Sequence, residues 1–512
     1  MDIEEICQIA NIDASHGNKE IIESYKDHIM NWLSSQKFRD NYASLSYPPL
    51  IDPDIMNYEG SAPEHAWVLN IPLPKYYDFV AFGSHAVGFH GALPGFLSLC
   101  GVAPKVMALR DSSAVMMGKS EQHGSKGNYI RMYSELVRCN AAKQTGRIKH
   151  LYLQLTDLVI DNDTKKFYSL VDASKCLNIV RDPISVLKGL VACPHKIERL
   201  DVEGDLIDFG LFLEQDPHKI FSKYLMYRTS GTITAHKDKG VGEGKEMDFT
   251  PCIDSLDYWI LDAEQSFHDG AIYSLLNGKI KSLMLRQTND FVGERCFDTM
   301  KEMAAHFGFD SPKEEDRWLF SKRVSDLKQL TPMIIYAHPD SELFTSNPEG
   351  KTVNKRFIDE CIKIKLTTRF DDINILDPHL NISCLFETAD PIFSVFLVDA
   401  AQGLSLLKNP ALQEKLKIYI KELSVALLKC ANDANTKKFK EYDILEYLQT
   451  HIDQRRLLKY ILNQHLTGLR TYKPDIINSW EYYAKFIELC KDDEPFDGTG
   501  EIGGIKFSTT RY

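Results

Sequence analysis

The spacing of apolar and polar positions divides the chain into stretches of different period. In residues 1–68, Ile21, Tyr25 and Ile29 recur every four positions behind Asp13 and Ser15, which predicts a capped amphipathic helix. The prolines and glycines from Pro48 to Pro63 then interrupt regular structure. From 69 to 330, short runs bare of polar residues alternate with helical stretches. The predicted strands are 77–82, 105–109, 151–155, 175–180 and 280–285; the predicted helices are 92–99, 128–143, 184–191 and 263–276. A strand that is polar on neither face must be covered on both. The pattern therefore predicts an α/β core, a mostly parallel sheet with helices on both faces.

Residues 331–405 change period. Cys361 to Thr367 alternates in twos, as does 372–375, and 381–386 is a further strand candidate, so a β-rich segment with one wet face is expected. From 406 to 491 the period is helical. Leu412, Leu416, Leu423 and Leu427 share one face, and Ile476, Trp480, Tyr483 and Ile487 follow the same rule behind Pro474 and Asp475. The stretch 492–512, rich in Gly, Asp and Thr, is expected to be loose.

Composition narrows the picture. A chain of 512 residues is too long for one ordinary core, and 44% hydrophobic residues give it ample material for several. A net charge of −12 offers no general field for nucleic acid or an anionic membrane, so an anionic ligand would need a local cationic pocket. The longest apolar stretch is broken by Pro94, Pro104 and Lys105, which argues against a membrane span. The acidic opening lacks the basic-then-apolar order of a secretion signal. Eleven cysteines without a C-x-x-C pair argue against a zinc ribbon or a disulfide frame. A cytoplasmic protein is expected.

Candidate chemistry begins where the first predicted strand ends. Gly83, Ser84, His85, Gly88, His90 and Gly91 lie between that strand and a helix. Glycines let a ligand approach the backbone, and amides at a helix start point at an anion. The stretch is neither G-x-x-x-x-G-K-[ST] nor G-x-G-x-x-G. A tight turn with packing glycines is the plainer alternative. A second candidate is Arg181-Asp182-Pro183, after the strand 175–180, where Arg181 can take a phosphate through its planar fork. Here an Arg181–Asp182 pair holding the turn is the alternative.

Taken together, strand, small-residue loop and helix, followed by strand, Arg-Asp-Pro and helix, resemble the phosphosulfate-binding elements of sulfotransferases. LMLRQTNDFVGERCFDTMKEMAAHFGF (283–309) resembles a later strand, loop and helix of that superfamily. More closely, LNIVRDPISVLKG, CFDTMKEMAAHFGF and PDIINSWEYYAKF resemble a bacterial family named for sugar transfer to surface polysaccharides of capsule and lipooligosaccharide, over about residues 70–490. The resemblance implies a transferase that moves a group from a nucleotide-activated donor to a sugar hydroxyl. Gly83, Ser84, Gly88, Gly91, Arg181 and Lys188 would hold the donor, and His85 or His90 would take the acceptor proton. Two departures stand out. Phe82-Gly83-Ser84-His85 lacks the lysine of the sulfotransferase loop, and Gly189, beside Lys188, replaces its serine. The donor thus stays open between a sulfonate and another nucleotide-activated group.

Other features compete. Glu121 and His123 are further candidates for the base. Asp161-Asn162-Asp163 resembles the Asp-x-Asp site at which many glycosyltransferases hold Mn²⁺ or Mg²⁺ with a diphosphate, and it equally suits a polar turn. Gly240 to Lys245 reads as a loop without a preceding strand. A non-catalytic scaffold of a glycan-assembly complex, acting through its C-terminal helices, is the remaining alternative.

Overall fold

The computed structural model describes residues 1–89, 91–108, 124–155, 161–193, 195–196, 210–213, 215–221, 225–229, 247–261, 267, 269–323, 327, 330–339, 355–371, 378–494, 496, 498–502 and 505–508. It opens with short helices, α1 (Ile3–Ala10), α2 (His16–Ser24), α3 (Lys26–Leu33), α4 (Gln36–Asn41) and α5 (Pro63–Val68). Asp2 and Glu5 close a capping box on α1. The single helix expected through Ile21, Tyr25 and Ile29 is instead two, broken at Tyr25, although Ile22 and Ile29 are both buried.

The α/β core follows. Strands β1 (Phe79–Phe82), β2 (Val102–Ala108), β3 (His150–Leu155), β4 (Lys175–Val180) and, later, β9 (Ser282–Gln287) form one sheet in the order β2-β3-β1-β4-β9, with every pairing parallel. Between β4 and β9 come the short strands β5 (His195–Lys196), β6 (Gly210–Phe212), β7 (Leu225–Arg228) and β8 (Met247–Asp248). The helices that connect the sheet are α6 (Ala92–Leu99), α7 (Gly124–Gln144), α8 (Thr164–Ser169) and α9 (Pro183–Val191). Alternate residues of β1 enter different cores. Phe79 and Ala81 pack with α6, α9 and the helix Arg295–Phe307; Val80 and Phe82 pack with α7, α8 and the N-terminal helices. Burial on both faces is the reason these strands carry no polar period.

The second sheet is mixed. It comprises β12 (Phe393–Leu397), β11 (Ile362–Thr368), β10 (Met333–Ala337) and β6, in that order, so the segment 331–405 borrows a strand from upstream. The strand expected at 381–386 is mostly the turn of 3-10 helix Ser383–Leu385, tied to β12 by a bridge from Asn381 to Phe396 and by hydrogen bonds of Ile382 and Ser383 with Val395. The strand expected at 372–375 lies outside the described residues.

Helix Pro410–Thr436 buries Leu412, Leu416, Leu423 and Leu427. The last expected helix divides into Pro474–Asn478 and Glu481–Leu489, because Trp480 takes an extended backbone at the break. The segment expected to be loose is ordered in part: β13 (Thr499–Ile502) and β14 (Ile505–Ser508) make a hairpin, and Asp493 forms a two-point ion pair with Arg455. Gly503-Gly504 between those strands is the short-hairpin signal that composition alone conceals. No helix among the described residues is long and apolar enough to cross a membrane.

Candidate functional site

In a parallel sheet all carboxyl ends share one edge. In this order the chain leaves β1 toward β2 on one side and leaves β4 toward β9 on the other, so the connections diverge between adjacent strands β1 and β4. Such a divergence opens a crevice beyond the strand ends. Both candidate segments stand there.

Gly83 lets the end of β1 lie against β4: a Cβ on it would stand 2.5 Å from the Ile179 carbonyl oxygen and equally close to the Phe89 ring. Ala86 and Gly88 then turn the loop through left-handed backbone, with φ of 56° and 108°. A Cβ on Gly88 would meet nothing within 4 Å, so the loop faces open space there. Ser84 is buried and His85 half-exposed. Gly91 precedes α6 as its N-cap. The anion cradle at α6 is narrower than expected. The Leu93 amide donates to the Gly88 carbonyl, and Pro94 has no N–H, so two of the first three helical positions present no free amide.

Arg181 reaches this loop. Its Nη1 donates to the Ala86 carbonyl oxygen at 2.7 Å. It has no ion-pair partner among the described residues. Burial lowers its pKa from the ordinary value, Glu441 and Asp182 oppose that, and Arg323 adds to it. The plainer Arg181–Asp182 pairing does not form. Asp182 instead receives the Ile184 amide on Oδ1 at 2.9 Å and the Tyr482 and Tyr483 amides on Oδ2 at 3.0 Å, capping α9 and helix Glu481–Leu489 together. Burial raises the Asp182 pKa, and those amides act against the rise.

Three more residues tie the edge together. The Asn178 amide group donates to the Phe82 carbonyl, Thr288 Oγ1 donates to the Val87 carbonyl at 3.0 Å, and Trp480 Nε1 donates to Gln287 Oε1. On α9, Lys188 pairs with Glu441, and Ser185 Oγ donates to the same Glu441 oxygen at 2.8 Å. Sequence reasoning missed Ser185, Thr288, Arg323 and Glu441. The serine had a signal, being one turn from Arg181 and Lys188; Glu441, 253 positions after Lys188, had none.

The Asp161-Asn162-Asp163 stretch is a turn. Asp161 Oδ2 accepts the Ser125 amide at the start of α7 at 2.7 Å, while Oδ1 accepts the Asp163 amide and the Thr164 hydroxyl. Among the described residues no three or more His, Cys, Asp or Glu side chains gather as a metal ion would need. His90, Glu121, His123 and Gly240 to Lys245 lie outside the described residues.

The matched family segment starts where this edge does. A family model described as "Protein of unknown function (DUF2972)" matches residues 287–492. No curated protein and no solved structure matches the chain. The DUF2972-like segment carries Thr288, Glu441, Tyr482 and Tyr483, which hydrogen-bond to the Val87 carbonyl, to Ser185 of α9 and to Asp182, whereas the glycine loop and Arg181 lie upstream of it. The match covers only the C-terminal part of the stretch, about 70–490, over which the resemblance to surface-polysaccharide transferases runs, and its description names no activity.

Proposed function

We propose that this chain is a transferase that binds a nucleotide-activated donor at the β1–β4 edge and passes a group to a sugar hydroxyl. One observation carries the reading: Arg181 and the loop 83–91, far apart in sequence, are hydrogen-bonded at the edge where the strands diverge. Arg181, Lys188 and Arg323 gather three cationic side chains against the carboxylates of Glu441 and Asp182, in a chain of net charge −12. Gly83, Ser84, Gly88 and Gly91 shape the loop around the donor's phosphates. The acceptor oxygen bonds to the transferred group as that group's bond to the nucleotide breaks, and His85 takes the hydroxyl proton. The sulfotransferase resemblance supports this role for the loop and Arg181, and the resemblance to surface-polysaccharide transferases suggests a polysaccharide acceptor met in the cytoplasm. The metal-dependent alternative at Asp161 and Asp163 is disfavoured by the capping work of Asp161.

The test is thermal unfolding with adenosine 3′,5′-bisphosphate, uridine diphosphate, cytidine diphosphate and cytidine monophosphate. A true ligand at a hundred times its Kd stabilises by about 2.7 kcal/mol. Stabilisation by one class of nucleotide, absent in Arg181→Ala, is expected. No response to any nucleotide, in the parent or in a variant without the Glu441 carboxylate, would refute the proposal and favour the scaffold.

A further inference from the structure

We propose that Glu441 is a built-in occupant of an oxyanion site formed by Arg181, Ser185 and Lys188, so that an anionic ligand must displace it to bind. The inference rests on the anion-binding reading above and adds a regulatory element to it. Ser185 and Lys188 lie three positions apart on α9 and so share a face. Their hydroxyl and ammonium converge on a single carboxylate oxygen, Oε1 of Glu441. A phosphate or sulfonate oxygen accepts the same two donors. Glu441 therefore stands in for the oxyanion of a phosphate or sulfonate ester.

The surroundings favour an anion there. Arg181 precedes the helix, and Gly189 gives it room: a Cβ on Gly189 would stand 3.4 Å from Arg181 Nη1 and 3.1 Å from the Ala86 Cβ. Arg323 adds positive charge near Arg181, and the nearby carboxylate, Asp182, has both oxygens occupied by backbone amides. Burial alone would raise the Glu441 pKa, yet the Lys188 and Ser185 hydrogen bonds hold it below the usual carboxylate value, so the occupant is charged. It is an incomplete occupant. Glu441 touches Ser185 and Lys188 while the Arg181 fork, among the described residues, holds only the Ala86 carbonyl. A dianionic ligand would engage all three side chains at once. Glu441 is the first residue of the helix Glu441–Thr450, so its side chain can move aside without breaking a hydrogen bond of the helix interior.

Isothermal titration with adenosine 3′,5′-bisphosphate, and with pyrophosphate as a base-free probe, tests this. Glu441→Gln should bind a probe at least tenfold more tightly than the parent, because the competing charge is gone. Adding Lys188→Met to that variant should remove the gain. Glu441→Asp keeps the negative charge at the helix start but retracts it by one methylene, and should give an intermediate gain even if the Gln variant folds poorly. If the parent binds and loses binding in Arg181→Ala, while Glu441→Gln and Glu441→Asp bind no better than the parent, Glu441 is no occupant and this inference falls alone. If the parent and both Glu441 variants bind neither probe, the anion-binding reading falls with it.

Discussion

Two polar stretches follow buried parallel strands, and they end in different employment. At Asp161 both carboxylate oxygens already accept backbone amides, one from the turn itself and one from α7. At Gly83 to Gly91 the loop's carbonyls are held by side chains from distant elements: Ala86 by Arg181, just past β4, and Val87 by Thr288, just past β9. A carboxylate committed to helix amides is a poor metal ligand, since a metal would have to compete with bonds that hold the fold. A loop gripped at its carbonyls keeps its outward face, beside Gly88, open to a ligand. The lesson concerns commitment of polar groups rather than motif content.

The contrast can be broken by substitution. The largest effect is expected from Gly83→Ala, whose Cβ would collide with the Ile179 backbone oxygen. Overpacking against backbone should cost about 3 kcal/mol in chemical denaturation and abolish nucleotide stabilisation. Asp182→Ala should cost slightly less, about 2–3 kcal/mol, because it strips acceptors from amides of two helices. Asp182→Asn, which retains an acceptor oxygen, should restore much of that. Asp161→Ala should cost about 1–2 kcal/mol as a lost cap while leaving nucleotide binding as in the parent. Loss of nucleotide binding in Asp161→Ala, or chelator-sensitive binding in the parent, would reverse the contrast.

Much of the core was legible because parallel strands buried on both faces leave continuous apolar runs. Helix 92–99 and strand 175–180 fall where the pattern predicts them. The boundaries that failed have local causes. Trp480 is apolar and periodic, yet it takes extended backbone because Asp182 receives the amides that follow it. The hairpin 499–508 hides in a glycine-rich stretch, and β6 joins a sheet whose other strands lie more than a hundred residues later. At the site, Arg181 and the glycine loop were legible from their positions after strands. Glu441 and Thr288 were not, because contacts across long sequence separations leave no periodic trace.

The central claim is that Arg181 and the loop 83–91 form one anion-binding site. Titration calorimetry of the nucleotide selected by thermal unfolding, with parent and Arg181→Ala compared at the same ionic strength, tests it most directly. The account predicts saturable one-site binding in the parent and a loss of about 1.5–3 kcal/mol in the variant, the range of a charged hydrogen bond. Equal affinity in the two proteins would contradict it.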